Sequence, residues 1–145
     1  MSNIDETPLV DLILAEQLQY TNAETAERAG LTLEQATRLW RNLGFPDPGD
    51  ETAFGEADVT AAAVVALAVE HQILDEGTVF RLTRALGQTM SRLADWQVSI
   101  LVDQLEVDIE RGKSNSRAGA ALELAATAVP GFERLMVHVW RRHLA

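Results

Sequence analysis

The sequence predicts an all-α protein, on three observations. Ala, Leu, Glu, Gln and Arg dominate the composition, whereas there is one Tyr and four Phe; that is helix-forming rather than sheet-forming chemistry. Apolar residues recur at three- and four-residue spacing over long stretches that lack proline. Helix start and stop signals are written out twice in the first third of the chain, each time as a capping-box pair followed by glycine.

The elements follow in order. Residues 5–19 carry Leu9, Leu12 and Ile13 on one face, with Pro8 suited to a first turn. Thr21 or Asn22 caps the next helix, with Glu24 three residues after Thr21, and Gly30 stops it. Thr32 and Gln35 repeat the pattern for a second short helix whose face is Leu33, Ala36, Leu39, Trp40 and Leu43, stopped by Gly44 and Pro46. Residues 21–46 thus form a small helix-turn-helix lobe with Trp40 as its core anchor. A turn-rich connector, 46–51, leads past Phe54, Glu56 and Asp58 into an apolar helix over about 59–74. Residues 75–78 break it and cap the next.

From Val79 to Glu110 there is no proline, and Leu86, Leu93, Ile100 and Val107 repeat every seven residues. Around 32 residues would make a helix of ~48 Å, longer than a small domain is wide. Either it bends near Gly87 or a second chain covers it, and the sequence favours the second chain. The four leucine-type positions are the candidate dimer seam, with 59–110 as core and dimerisation region. A polar loop, 112–116, is followed by a helix over 116–143, capped by Asn115 or Ser116; Pro130-Gly131 should kink or split it. Its distal apolar face is Leu135, Met136, Val139 and Trp140.

Composition excludes several functions. There is no cysteine, hence no disulfide, zinc–thiolate site or thiol nucleophile. The apolar run Val59–Val69 is too short to span a bilayer, and the acidic, polar start is no signal peptide, so a cytoplasmic protein is expected. A net charge of −10 disfavours nucleic acid. The charge is uneven: residues 111–145 hold six of the twelve basic residues and only two acidic ones, Glu123 and Glu133. A basic terminal helix on an acidic body suits docking on a partner domain. No nucleophile–base pair, phosphate loop or metal-ligand spacing is present, so neither catalysis nor a metal or other obligate cofactor is expected.

The stretch 26–48, AERAGLTLEQATRLWRNLGFPDP, followed by Phe54, Glu56, Ala57, Asp58 and Val59 and then by RLTRALG at 81–87, resembles the regulatory domain placed ahead of the catalytic domain in actinobacterial class III adenylate cyclases. The resemblance covers roughly residues 20–142 and rests on the order of the pieces. It implies an all-helical, dimeric domain that tunes an attached cyclase domain in response to pH, with a fatty acid bound in an apolar cavity. The cyclase catalytic domain itself, expected C-terminal to this segment, is not among the 145 residues. Residues 21–46 also resemble the winged helix-turn-helix of mercury-resistance-type transcription regulators, which supplies a rival function.

The candidate sites follow. His71, beside Glu70 and four residues before Asp75, and His138, on the terminal helix, are candidate pH switches, because histidine titrates near neutrality. His143 adjoins Arg141 and Arg142. Val64, Val65 and Leu67, with Met90 and Trp96, are the candidate lining of an aliphatic pocket. Under the DNA-binding alternative Arg38 and Arg41 would contact the duplex, opposed by Glu34 on the same helix.

Overall fold

The computed structural model describes residues 7–112 and 116–145. Among them are six helices: α1 (Thr7–Leu14), α2 (Asn22–Ala29), α3 (Leu33–Leu43), α4 (Glu56–Glu70), α5 (Glu76–Glu110) and α6 (Arg117–Leu144). The fold is all-α. The β-type pairing among the described residues is an isolated antiparallel bridge between Tyr20 and Phe54. The chain divides into two compact units, Glu16–Trp96 and a second containing α1, α5 from Gln97 onward, and α6.

Local signals set the boundaries of the short helices. The Thr21 hydroxyl accepts from Glu24 N while the Glu24 carboxylate accepts from Thr21 N, and Thr32 and Gln35 do the same for α3. Each box satisfies two N–H groups that the helix itself leaves unpaired. Gly30 and Gly44 close the two helices at φ 84° and 83°, the left-handed conformation that glycine adopts without steric penalty. Asp75 caps α5 by accepting from both the backbone N–H and the hydroxyl of Thr78, at 2.9 and 2.7 Å. Ser116 caps α6 by accepting from Gly119 N at 3.0 Å. Asn115, the other candidate cap, lies outside the described residues.

The core of the Glu16–Trp96 unit gathers Tyr20, Ala26, Ala29, Leu31, Ala36, Leu39, Trp40, Phe54, Ala62 and Phe80. Trp40 is its centre, 2 % exposed, with its ring 4.8 Å from that of Phe54 and 5.9 Å from that of Phe45. A buried indole needs an acceptor. Trp40 Nε1 donates to Asn22 Oδ1 at 2.9 Å, and Asn22 Nδ2 donates to Thr37 Oγ1 at 3.0 Å. This relay locks α2 to α3. In the second unit α1 packs on α6, and Leu105, Ala120 and Ala125 are buried.

Four expectations change. The apolar helix predicted over 59–74 runs Glu56–Glu70, because Glu56 and Asp58 enter its first turn and His71 ends it. Leu33, expected on the buried face of α3, is exposed at its first position, before the helix meets its neighbours. Pro130 neither splits α6 nor ends it: the helix is continuous from Arg117 to Leu144. Proline removes one N–H, and the Ala126 carbonyl it leaves behind lies on an exposed stretch where water can bond it. Gly87, likewise, does not interrupt α5.

Candidate functional site

Two features of the chain stand out: a largely exposed apolar stripe on α5 and a polar cluster at the start of α4. Leu86, Leu93, Ile100 and Val107 all lie on α5, as their spacing demands. Leu86 is 50 % and Ile100 47 % exposed, Val107 is exposed and Leu93 half-buried. Leu82, Met90 and Trp96 are exposed on the same helix, Trp96 by 62 %. A soluble monomer seldom leaves so many large side chains in water along one helix. On α6, Phe132, Leu135, Val139 and Trp140 are exposed as well.

The aliphatic-pocket candidates are spread over exposed surface. Val65 packs half-buried against the core, whereas Val64, Leu67, Met90 and Trp96 face outward, Val64 with 64 % of its surface accessible. The groove at the end of α3 is lined by other residues. The charged candidates separate too. Arg38 lays its guanidinium over the Phe80 ring, 4.3 Å from the centroid, so its planar face is occupied within the chain. Arg41, three residues on, lines an open groove between α3 and α5. His71 stands exposed where α4 ends, and His138 and His143 are exposed on α6.

The cluster at α4 is what sequence reasoning missed. Glu16 lies beyond the end of α1, which stops at Leu14 and not at residue 19, and places its carboxylate against the N-terminus of α4, accepting from Ala57 N at 3.0 and 3.1 Å. A carboxylate there gains from the positive end of the helix dipole. Asp58, in the same turn, accepts from Gly55 N at 2.9 Å. Its pKa is raised, chiefly because burial disfavours the charged form; the Gly55 N–H pulls the other way and the Glu16 charge adds to the rise. Beside them the Tyr20 hydroxyl donates to Glu56 Oε1, which holds the phenol above its usual pKa, and Arg28 sits 4.4 Å over the Tyr20 ring. Glu16 and Asp58 thus meet at one helix start, with Glu56 held beside them by Tyr20. The signal that could have found it is the acidic pair Glu56 and Asp58 ahead of an apolar run; the partner, Glu16, is 41 residues from Ala57.

Comparison with known proteins adds the context. No family model matches the chain. It is 36 % identical over 137 residues, 94 % of its length, to an adenylate cyclase of Streptomyces coelicolor, and 36 % identical over 134 residues to an adenylate cyclase of Streptomyces griseus. An adenylate cyclase of Glutamicibacter nicotianae is 32 % identical over 133 residues. The chain spans about a third of the length of each. Nearly all of this chain therefore corresponds to one segment of larger proteins, a pattern consistent with a domain associated with a cyclase. No helix among the described residues is long and apolar enough to cross a membrane.

Proposed function

We propose that this chain is a non-catalytic regulatory domain that dimerises through α5 and sets the geometry of an attached or associated class III adenylate cyclase catalytic domain. The observation that carries this reading is the extent of the match: 94 % of the chain against about 35 % of an adenylate cyclase. The exposed stripe on α5 supports the dimer. Two copies related by a two-fold axis would bury the same residues on each other. A cyclase of this class works with two catalytic domains together, so a dimerising domain can control activity by setting their spacing and rotation.

The signal in this reading is pH, with a fatty acid as the second input. His71 and His138 remain its histidine candidates, and the Glu16–Asp58 pair joins them on geometric grounds. An aliphatic ligand would lie along Val64, Leu67, Met90 and Trp96 and needs a second surface to enclose it; native mass spectrometry of the purified protein checks for a co-purified fatty acid.

The deciding experiment fuses the chain to a class III cyclase catalytic domain and records cyclic-nucleotide production against pH, beside the catalytic domain alone. A difference in activity or pH profile supports the reading, and identical profiles reject it. Analytical ultracentrifugation of the unfused chain tests the dimer directly. The rival function, a DNA-binding transcription regulator, loses weight with Arg38 stacked on Phe80 and a net charge of −10. A gel shift at low salt with genomic competitor DNA separates the two.

A further inference from the structure

The groove between α3 and α5 has no part in the regulatory reading, and its charge is opposite to that of the acidic first 110 residues. It has a volume of about 800 Å³ and is lined by Arg41, Asn42 and Gly44 from the end of α3 and by Arg84, Gly87, Gln88, Ser91 and Arg92 from α5. In a protein with 22 acidic and 12 basic residues, three arginines meet here and no carboxylate is in the lining. Among the described residues no carboxylate pairs with Arg41, Arg84 or Arg92.

The groove is built by the backbone. Gly87 brings α3 against α5: a Cβ at this position would fall 2.6 Å from Leu43 Cα and 2.7 Å from Leu43 C. Asn42 Nδ2 donates to Phe80 O at 3.0 Å and fastens the contact. Arg84, Gln88, Ser91 and Arg92 follow one another at four, three and one residues along α5, which keeps them on the side that faces the end of α3. Arg92 Nε donates to Gln88 O at 3.4 Å, which turns that guanidinium along its own helix and leaves its outer N–H groups for another acceptor. Three positive charges lining one groove without a carboxylate favour an anion among them. The C-terminus of α3 opposes this with about half a negative charge. That is small against three positive charges, and two of the carbonyls concerned are already occupied: Gly44 N donates to Arg41 O at 3.1 Å and Phe45 N to Trp40 O at 2.9 Å.

We propose that this groove binds a phosphate chain of two or three phosphoryl groups. Guanidinium forks bind phosphoryl oxygens in pairs, and three of them match the charge of a di- or triphosphate better than that of a single carboxylate. Gln88, Asn42 and Ser91 supply neutral donors beside them. No aromatic ring lines the groove, so a nucleobase has nothing to stack on and recognition rests on the phosphates. The chain is therefore read by its charge, from inorganic pyrophosphate or from a nucleotide.

Isothermal titration of the 145-residue protein with inorganic pyrophosphate at low salt tests this. Binding should be one per chain, with a Kd on the order of 10–100 µM that weakens steeply with added salt. Arg41→Gln with Arg84→Gln should weaken it by ~10-fold or more, while Arg142→Gln, which removes one positive charge outside the groove, leaves it unchanged. Should the double variant lose its helical circular dichroism, Arg92→Gln alone carries the comparison. Equal affinity for ATP and tripolyphosphate identifies the inorganic chain as sufficient; tighter binding of ATP identifies a nucleotide as the source, and either result supports the site. No heat at millimolar pyrophosphate overturns the proposal. So does equal weakening by Arg142→Gln, or binding of duplex DNA through the same arginines that excess pyrophosphate does not displace.

Discussion

Replacing Gly87 by alanine should destabilise this protein, although the same change at Gly131 should stabilise it. Both glycines sit inside long helices, α5 and α6, where alanine is the better helix former by ~1 kcal/mol. At Gly131 nothing lies within 4 Å of the added methyl, so most of that gain should be realised. At Gly87 the methyl meets the backbone of α3, the Asn42 carbonyl oxygen and Leu43 Cα and C, with the latter two at 2.6 and 2.7 Å. Backbone at a capped helix end cannot swing aside as a long side chain can. Forcing such contacts costs ~1–3 kcal/mol even after relaxation, with loss of the Asn42 bond to Phe80 at the upper end. The net expectation is a loss of up to ~2 kcal/mol for Gly87→Ala and a gain of ~0.5–1 kcal/mol for Gly131→Ala. Thermal denaturation followed by circular dichroism should then show melting temperatures displaced in opposite directions, each by a few degrees. If Gly87→Ala melts at or above the parent, α3 does not approach α5 as described, and the floor of the arginine groove is wrong as well.

Three further outcomes are expected. Leu86→Glu with Ile100→Glu should give a monomer in ultracentrifugation with unchanged helicity, because both side chains are exposed within one chain; a dimer that persists puts the seam elsewhere. Asn22→Ala should cost ~1–3 kcal/mol by stranding the buried Trp40 N–H, measured by urea denaturation, and a loss of less than about 0.5 kcal/mol would mean water replaces the amide. Asp58→Asn keeps an acceptor for Gly55 N but cannot ionise. Since the folded-state pKa of Asp58 is raised, the folded protein holds its proton more tightly than the unfolded chain, and this group's contribution to stability falls as pH rises through that pKa. The variant should therefore melt at or above the parent at pH 7.5, and that margin should shrink as the buffer is taken toward pH 4. A margin independent of pH would remove Asp58 from any proton response.

What the sequence disclosed was local. Thr21 with Glu24, Thr32 with Gln35, and the glycines at 30 and 44 act over three or four residues, so the limits of α2 and α3 could be read directly. The all-α class and the α5 stripe followed from periodicity in the same way. Pro130 misled because the rule it obeys concerns an average helix interior, and here the freed carbonyl is on an exposed stretch. The remaining features depend on residues far apart in the chain. Glu16 meets Ala57, Asn22 meets Trp40, and Gly87 meets Leu43 only after the helices have packed. Glycine 87 looked like a place for α5 to bend, since a missing side chain reads the same whether it allows flexure or admits a neighbour. Arg41 was legible as a cation on α3, but not as one rim of a basic groove.

The three tryptophans occupy two kinds of surroundings, and this gives the protein an optical reporter that needs no label. Trp40 is sealed among Phe45, Phe54 and Asn22 and should emit at short wavelength at any concentration. Trp96 and Trp140 are open to solvent in the single chain and should emit further to the red. A shift of the red component on dilution, on acidification or on fusion to a catalytic domain would then follow α5 and α6 as they gain or lose a neighbour, against an internal standard that stays still.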